Sequence, residues 1–129
     1  SFNENGWPLF RDNDIPATLF ISTDMTDFSI PDYMSWDQIR KYINEGGIIG
    51  QHTASHMSLP LNNVKNIEED ILRSQKRFME ELGFVPDLFA FPFGEAFNNI
   101  LAKNGFIDVE DIPQTLGVAS IYRAQKPTS

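Results

Sequence analysis

Two histidines, His52 and His56, lie four residues apart and are the only histidines in the 129-residue chain. Imidazoles at this spacing can face the same side of a helical turn and bind one metal ion together. Such a metal could activate a water molecule for hydrolysis. The alternative is that both are ordinary loop or capping residues, and spacing alone leaves the two interpretations open.

The position of the pair favours the metal. His52 closes an apolar segment, Ile48-Ile-Gly-Gln-His52, which is typical of a buried strand. Folds with alternating strands and helices place their sites at the carboxyl ends of strands. Zinc, however, needs a third protein ligand, usually a carboxylate, together with a water. The two histidines therefore predict only part of a zinc site.

Strand-like and helix-like segments alternate along the chain, which predicts parallel strands with covering helices in one α/β domain. Turn residues and the spacing of apolar residues set the boundaries. The predicted strands are 16–23, 48–52, 86–91 and 116–122; the predicted helices are 1–12, 35–46, 66–82 and 95–104, followed by a loose tail from Arg123.

Composition excludes several classes of function. The net charge of −8, with scattered basic residues, makes nucleic acid and anionic membranes poor partners but leaves a neutral glycan open. There is no cysteine, hence no disulfide, thiolate nucleophile or cysteine metal site. No apolar run approaches the roughly 18 residues of a membrane span, and no signal peptide is visible. The hydrophobic fraction of 41% predicts a packed core.

Four motifs follow one another along the chain. They are Trp7-Pro-Leu-Phe with Ile15-Pro-Ala-Thr-Leu-Phe20, Met34-Ser-Trp-Asp-Gln38, Gly47-Ile-Ile-Gly-Gln-His-Thr-Ala-Ser-His56, and Phe89-Ala-Phe-Pro-Phe-Gly94. In this order, over about residues 1–106, the chain resembles the polysaccharide deacetylase family, the NodB-homology group of carbohydrate esterases (family 4). The resemblance implies a distorted (β/α) barrel, of which this domain is a part; residues 107–129 do not align.

The resemblance also implies a function, the metal-dependent removal of N- or O-acetyl groups from an acetylated glycan. His52 and His56 match the two histidines that join an aspartate to hold a divalent ion, most often zinc. Pro92, Phe93 and Gly94 match a motif that lines the substrate groove, where the backbone N–H of Phe93 would bind the oxyanion. The family favours a location outside the cytoplasm.

The chain departs from the family pattern at the other catalytic positions. No Asp-Asp-Gly motif, which supplies the base and the third ligand, occurs in the sequence, and it would align just before Ser1. The stretch Asn3-Glu4-Asn5-Gly6 is a disfavoured substitute. Ala90 replaces a frequent arginine, and the tryptophan and histidine of the later motifs are missing. No base or acid is therefore identified.

Other polar and aromatic residues are interpreted structurally. Asp24 and Asp27 are expected in a solvated loop, although they could face the same rim as the histidines. Phe28 and Trp36 could stack on sugar rings, but core packing or anchoring of a helix start is at least as well supported.

Glu68, Glu69 and Asp70 are expected in the first turn of a helix, without a chemical role. Phe89, Phe91 and Phe93 alternate as in a strand with one buried face. Three hypotheses remain: a partial deacetylase, a non-catalytic glycan- or protein-binding module, and an inactive fragment. An incomplete barrel leaves open sheet edges, which predicts self-association.

Overall fold

A single mixed sheet with helices packed against it forms the described part of the chain. The computed structural model describes residues 2–58, 61–94, 107–112 and 121–125. The strands are β1 Thr18–Ile21, β2 Ile48–Gln51, β3 Leu88–Ala90, β4 Ile107–Ile112 and β5 Ile121–Gln125. The helices are α1 Trp7–Asp12, preceded by a π-helical turn Phe2–Gly6, then α2 Thr23–Asp27, α3 Trp36–Asn44 and α4 Val64–Leu82, with a 3-10 turn at Pro92–Gly94.

The strand order is β1-β2-β3-β5-β4. β1, β2 and β3 are parallel, as predicted, whereas β5 pairs antiparallel with both β3 and β4. The prediction of a loose tail from Arg123 was wrong for Arg123–Gln125, which belong to β5, and residues 126–129 lie outside the described residues. The predicted helix 95–104 lies outside the described residues, as does the predicted strand 116–122 except for its last two positions.

Local sequence explains where the two longer helices begin and end. The Ser35 side chain accepts from the Gln38 backbone N–H at 3.2 Å, and the Gln38 side chain accepts from the Ser35 N–H at 2.8 Å, which is the predicted capping box. The Asn63 side chain caps the start of α4 by accepting from the Asn66 backbone N–H at 2.9 Å. Gly83 closes α4 with φ of 79°, a left-handed conformation that glycine adopts without steric cost.

Aromatic and aliphatic side chains of α1, α3 and α4 form the core against β1 and β2. Trp7 packs edge-on against Tyr42, with ring centroids 4.6 Å apart, and Trp36 packs against Phe78 at 5.8 Å. The predicted apolar face of α4 is confirmed, since Ile67, Ile71 and Phe78 are buried and Leu82 is partly buried against the core. None of the described helices is long and apolar enough to cross a membrane.

Candidate metal centre

The two histidines lie together at the carboxyl end of β2. The backbone N–H of His52 donates to the Ile21 carbonyl at 3.2 Å, so it extends the parallel pairing of β1 and β2 by one residue. The chain then turns, and His56 returns so that the two imidazole centroids are 4.8 Å apart. The structure thus brings the two predicted ligands together at the predicted edge of the sheet.

A backbone carbonyl fixes the orientation of the His52 ring. His52 Nδ1 lies 2.8 Å from the Ala90 oxygen at the end of β3. Because a carbonyl oxygen can only accept, this hydrogen bond requires the proton on Nδ1. Nε2 then carries the free lone pair that a metal needs. Metal-binding histidines commonly donate their second ring N–H in this way.

Burial keeps the His52 ring in its neutral form. It lowers the pKa of His52 below its usual 6.5, because the charged imidazolium is poorly solvated there. The hydrogen bond to Ala90 opposes this effect, and the positive charge of a protonated His56 would add to it. A neutral imidazole is the form that binds a metal, so the environment of His52 suits a ligand.

The loop between the histidines is backbone-strained and buried. Thr53 has φ of 63° and His56 φ of 59°, both in the left-handed region that non-glycine residues rarely adopt. Such residues cost on the order of 1–3 kcal/mol each and persist where surrounding contacts hold them. Thr53 and Ala54 are fully buried. A loop of this kind needs fixed partners on the neighbouring elements.

Asp70 provides those partners, and the expectation that it lies in the first turn of a helix was wrong, since the first turn of α4 holds no acidic residue. Helix α4 begins at Val64, so Asp70 lies in its second turn, 3% exposed. Its carboxylate accepts from the Ala54 N–H at 2.6 Å and from the Ser55 hydroxyl at 2.5 Å. A sequence signal was available, because a charged residue stood beside Ile71 on the apolar face of the helix.

The two aspartates after β1 lie in helix α2 and not in a solvated loop. Asp24 pairs with Arg73 at 2.7 Å, and Asp27 with Arg77 at 2.9 Å through both carboxylate oxygens. The hydrogen bond from Arg77 holds the pKa of Asp27 below its usual value. Trp36 Nε1 also donates to Asp27 at 2.8 Å. Both carboxylates are thus engaged by arginines, and neither joins the histidines.

A third ligand is missing from the site as described. Within residues 2–58, 61–94, 107–112 and 121–125, no group of three or more histidine, aspartate and glutamate side chains could hold a metal ion. Glu4, from the alternative motif Asn3–Gly6, lines a groove beside β1 instead. The residues present therefore fit two positions of a zinc site, and the donor set is incomplete without a carboxylate.

The predicted substrate motif lies beside His56. Pro92, Phe93 and Gly94 form the 3-10 turn that follows β3, and the Phe93 ring is 5.1 Å from the His56 ring. Phe93 has φ of 62° and is 70% exposed. The predicted alternation of buried phenylalanines holds for Phe89 and Phe91 but was wrong for Phe93, because the strand ends at Ala90.

A groove of about 420 Å³ runs along the outer edge of β1. It is lined by Leu19, Phe20, Ile21 and Ser22 of the strand end and by Tyr33 and Met34 across from them, among others. In the described sheet β1 has only one neighbour, β2, so the far side of this strand has no strand partner there. Within the described residues, the groove therefore lies beside an edge strand of the sheet.

Comparison with known proteins agrees with this fold. The family model described as polysaccharide deacetylase matches residues 1–109. A curated relative, the peptidoglycan-N-acetylglucosamine deacetylase of Bacillus cereus, is 30% identical over 63 residues. That match covers 49% of this chain and 23% of the relative, so the chain spans about a quarter of it. The chain belongs to the polysaccharide deacetylase family.

Solved structures support the same fold. The chain superposes on IcaB from Ammonifex degensii with a TM-score of 0.69 and 22% identity, covering 81% of this chain and 52% of that one. The Streptococcus pyogenes deacetylase PplD, in complex with acetate, superposes with a TM-score of 0.72 and 18% identity. The match covers 80% of this chain and 45% of that one. A family 4 carbohydrate esterase from Streptomyces lividans superposes with a TM-score of 0.64 and 22% identity. The match covers 77% of this chain and 50% of that one. The fold is therefore a partial barrel of the NodB-homology type.

Proposed function

We propose that this chain forms the histidine half of a metal-dependent deacetylase site that acts on an acetylated glycan. The observation that carries the proposal is the pairing of His52 and His56 at the carboxyl end of β2, with the His52 ring fixed by Ala90. Membership of the polysaccharide deacetylase family supports deacetylation of a polysaccharide. The named relative, a peptidoglycan-N-acetylglucosamine deacetylase, supports an N-acetylated amino sugar as substrate.

His52 and His56 would hold a divalent ion, zinc in this proposal, through neutral imidazole nitrogens. When bound, such an ion lowers the pKa of a water toward about 7 and polarises the substrate carbonyl. The backbone N–H of Phe93 would donate to the oxygen on which negative charge develops, a contribution of about 2.7–4 kcal/mol. Pro92 and Gly94 would shape the groove around the scissile group.

The base, the acid and the third ligand are not supplied by these residues. Both histidines of the chain are used as ligands, so neither is free to protonate the leaving amine. The family resemblance implies an aspartate as third ligand, and the free edge of β1 offers a place for it. A strand added there in parallel would end at the same rim as His52.

The test is metal content by elemental analysis of the purified chain, beside the variants His52→Ala and His56→Ala. One zinc per chain, lost in both variants, is the expected result, and acetate release from an N-acetylglucosamine oligomer is then measured. Glu69→Gln serves as a control, since this side chain is 62% exposed on α4. No zinc above background in the unsubstituted chain would contradict metal-dependent hydrolysis by this chain alone.

A second candidate function is a deacetylase-like module that binds glycan without hydrolysis. The incomplete donor set among the described residues favours it. This candidate predicts binding of a chitin oligomer in calorimetry without acetate release, and with affinity unchanged in His52→Ala. Binding that depends on His52 and on added zinc would instead support the enzyme.

Self-association through the free edge of β1 is part of the proposal. Exposed strand edges pair readily with strands of other chains. Sedimentation over a range of concentrations should show a dimer that dissociates on dilution. A monomer at every concentration would contradict this part without affecting the metal site.

A further inference from the structure

We infer that Asp70 is a positioning residue, one that holds the loop between His52 and His56 in the conformation that lets both imidazoles reach one ion. The inference rests on the proposed function and extends it to a residue outside the predicted site. Asp70 lies on α4, fourteen positions after His56, and does not itself join the histidines in a ligand group.

The Asp70 carboxylate is shared among several donors of this loop. Oδ1 accepts from the Ala54 N–H at 2.6 Å, and Oδ2 accepts from the Ser55 hydroxyl at 2.5 Å. The Ser55 N–H lies 3.4 Å from Oδ1 and 3.3 Å from Oδ2. Hydrogen bonds to an ionised acceptor are about twice as strong as neutral ones. The buried carboxylate therefore accepts hydrogen bonds from both backbone N–H groups in the middle of this loop.

The same carboxylate belongs to a closed ring of contacts. Arg73 lies 3.4 Å from Asp70 and 2.7 Å from Asp24. Asp24 in turn donates its backbone N–H to the Ala54 carbonyl at 2.9 Å. The loop is thus held on its N–H side by Asp70 and on its C=O side by α2, with Arg73 joining the two.

The hydrogen bonds to Asp70 stabilise the left-handed backbone conformations on either side of Ala54. Thr53 and His56 both have positive φ, and Ala54 and Ser55 between them make the bonds to Asp70. Without the carboxylate these N–H groups are buried and unpaired, so the loop would relax toward ordinary conformations. The direction of the His56 ring would change with it, because His56 ends the loop.

The experiment compares Asp70→Asn with Glu69→Gln, a neighbouring exposed carboxylate on the same helix. An asparagine keeps the shape but cannot accept at both positions. Two quantities are measured on the full chain: amide hydrogen exchange at Ala54 and Ser55 without metal, and zinc affinity by competition with a chelator. Asp70→Asn should speed exchange at both amides and weaken zinc binding about 10- to 100-fold. Glu69→Gln should change neither quantity.

Ser55→Ala is a milder second variant, needed in case Asp70→Asn fails to fold. It removes one hydrogen-bond donor to Asp70 and leaves the carboxylate in place. It should weaken zinc binding severalfold, and the double variant should bind zinc no more weakly than Asp70→Asn alone. Unchanged affinity in the single variants, or additive losses in the double variant, would overturn the role of Asp70. If the unsubstituted chain binds no zinc, the proposed function fails, whereas unchanged exchange at Ala54 and Ser55 in Asp70→Asn would overturn the inference by itself.

Discussion

His52 Nδ1 lies 2.8 Å from the carbonyl oxygen of Ala90, so the end of β3 sets the ring orientation of a histidine at the end of β2. The main chain of Ala90 makes this contact whatever its side chain is. The hydrogen bond determines which nitrogen of the neutral ring is protonated, and burial favours the neutral ring by lowering the pKa of His52. Both properties can be measured without any metal.

His52 should titrate with a pKa below 6.5 and carry its proton on Nδ1 when neutral. Between the lowered pKa and 6.5, the folded state holds fewer protons than the unfolded state. The free energy of unfolding should therefore fall as the pH falls through this window. Nitrogen chemical shifts of the imidazole over pH 4–8 report both the pKa and the tautomer. A pKa above 6.5, or a proton on Nε2, would contradict the assignment.

Asp27→Asn should destabilise the chain by on the order of 0.5–1 kcal/mol at neutral pH, because the ion pair with Arg77 is partly exposed. Asparagine can still accept from Trp36 through its side-chain oxygen, so the change removes the charge and one hydrogen bond from Arg77 but keeps the bond from Trp36. The pKa of Asp27 is lowered from 3.8, so its contribution is present above that pH and is lost as the pH falls further.

Denaturant unfolding at a series of pH values measures this difference. The difference in the free energy of unfolding between the unsubstituted chain and Asp27→Asn should disappear as the pH falls below 3.8. Asp37→Asn, which removes a 93% exposed carboxylate, should lower the free energy of unfolding less than Asp27→Asn at neutral pH. Equal losses of stability in the two variants at neutral pH would mean that the ion pair between Asp27 and Arg77 stabilises the chain no more than the exposed Asp37 does.

The sequence predicted the framework of the site because that framework depends on local patterns. The apolar run before His52, the capping box at Ser35 and the glycine after Leu82 each specify an element within a few residues. The metal-ligand spacing of His52 and His56 is equally local. These elements and the meeting of the two histidines are present in the structure.

Features that depend on contacts between distant segments were not predicted. The sequence predicted a strand only as far as Tyr122, whereas β5 continues to Gln125 because it pairs with β3 and β4. Asp70 makes its hydrogen bonds only because α4 packs beside the loop between His52 and His56. Its position on the apolar face of the helix indicated that it would be buried. The alternation of phenylalanines failed at Phe93 because the chain turns away from the sheet after Ala90.

Gly50→Ala should destabilise the chain by about 1–3 kcal/mol through overpacking. A Cβ at this position would lie 2.5 Å from the Phe20 ring and 3.1 Å from the Leu88 carbonyl, and the main chain cannot move away without disturbing β2. Thermal or urea unfolding measures the loss. Adding Phe20→Leu should restore part of the stability, since a smaller side chain makes room. Equal stability of Gly50→Ala and the unsubstituted chain would show that the ring moves freely.

Phe93→Asn and Phe93→Val separate the backbone of the substrate turn from its side chain. Phe93 has φ of 62°, which asparagine tolerates and β-branched valine does not, while the 70% exposed side chain contributes little burial. Phe93→Asn should match the unsubstituted chain in urea unfolding, and Phe93→Val should be about 1–2 kcal/mol less stable. If the Phe93 N–H is the oxyanion donor, Phe93→Asn should also keep any acetate release, because the donor belongs to the main chain. Equal losses of stability in both variants would show that the phenyl ring, and not the left-handed backbone, matters at this turn.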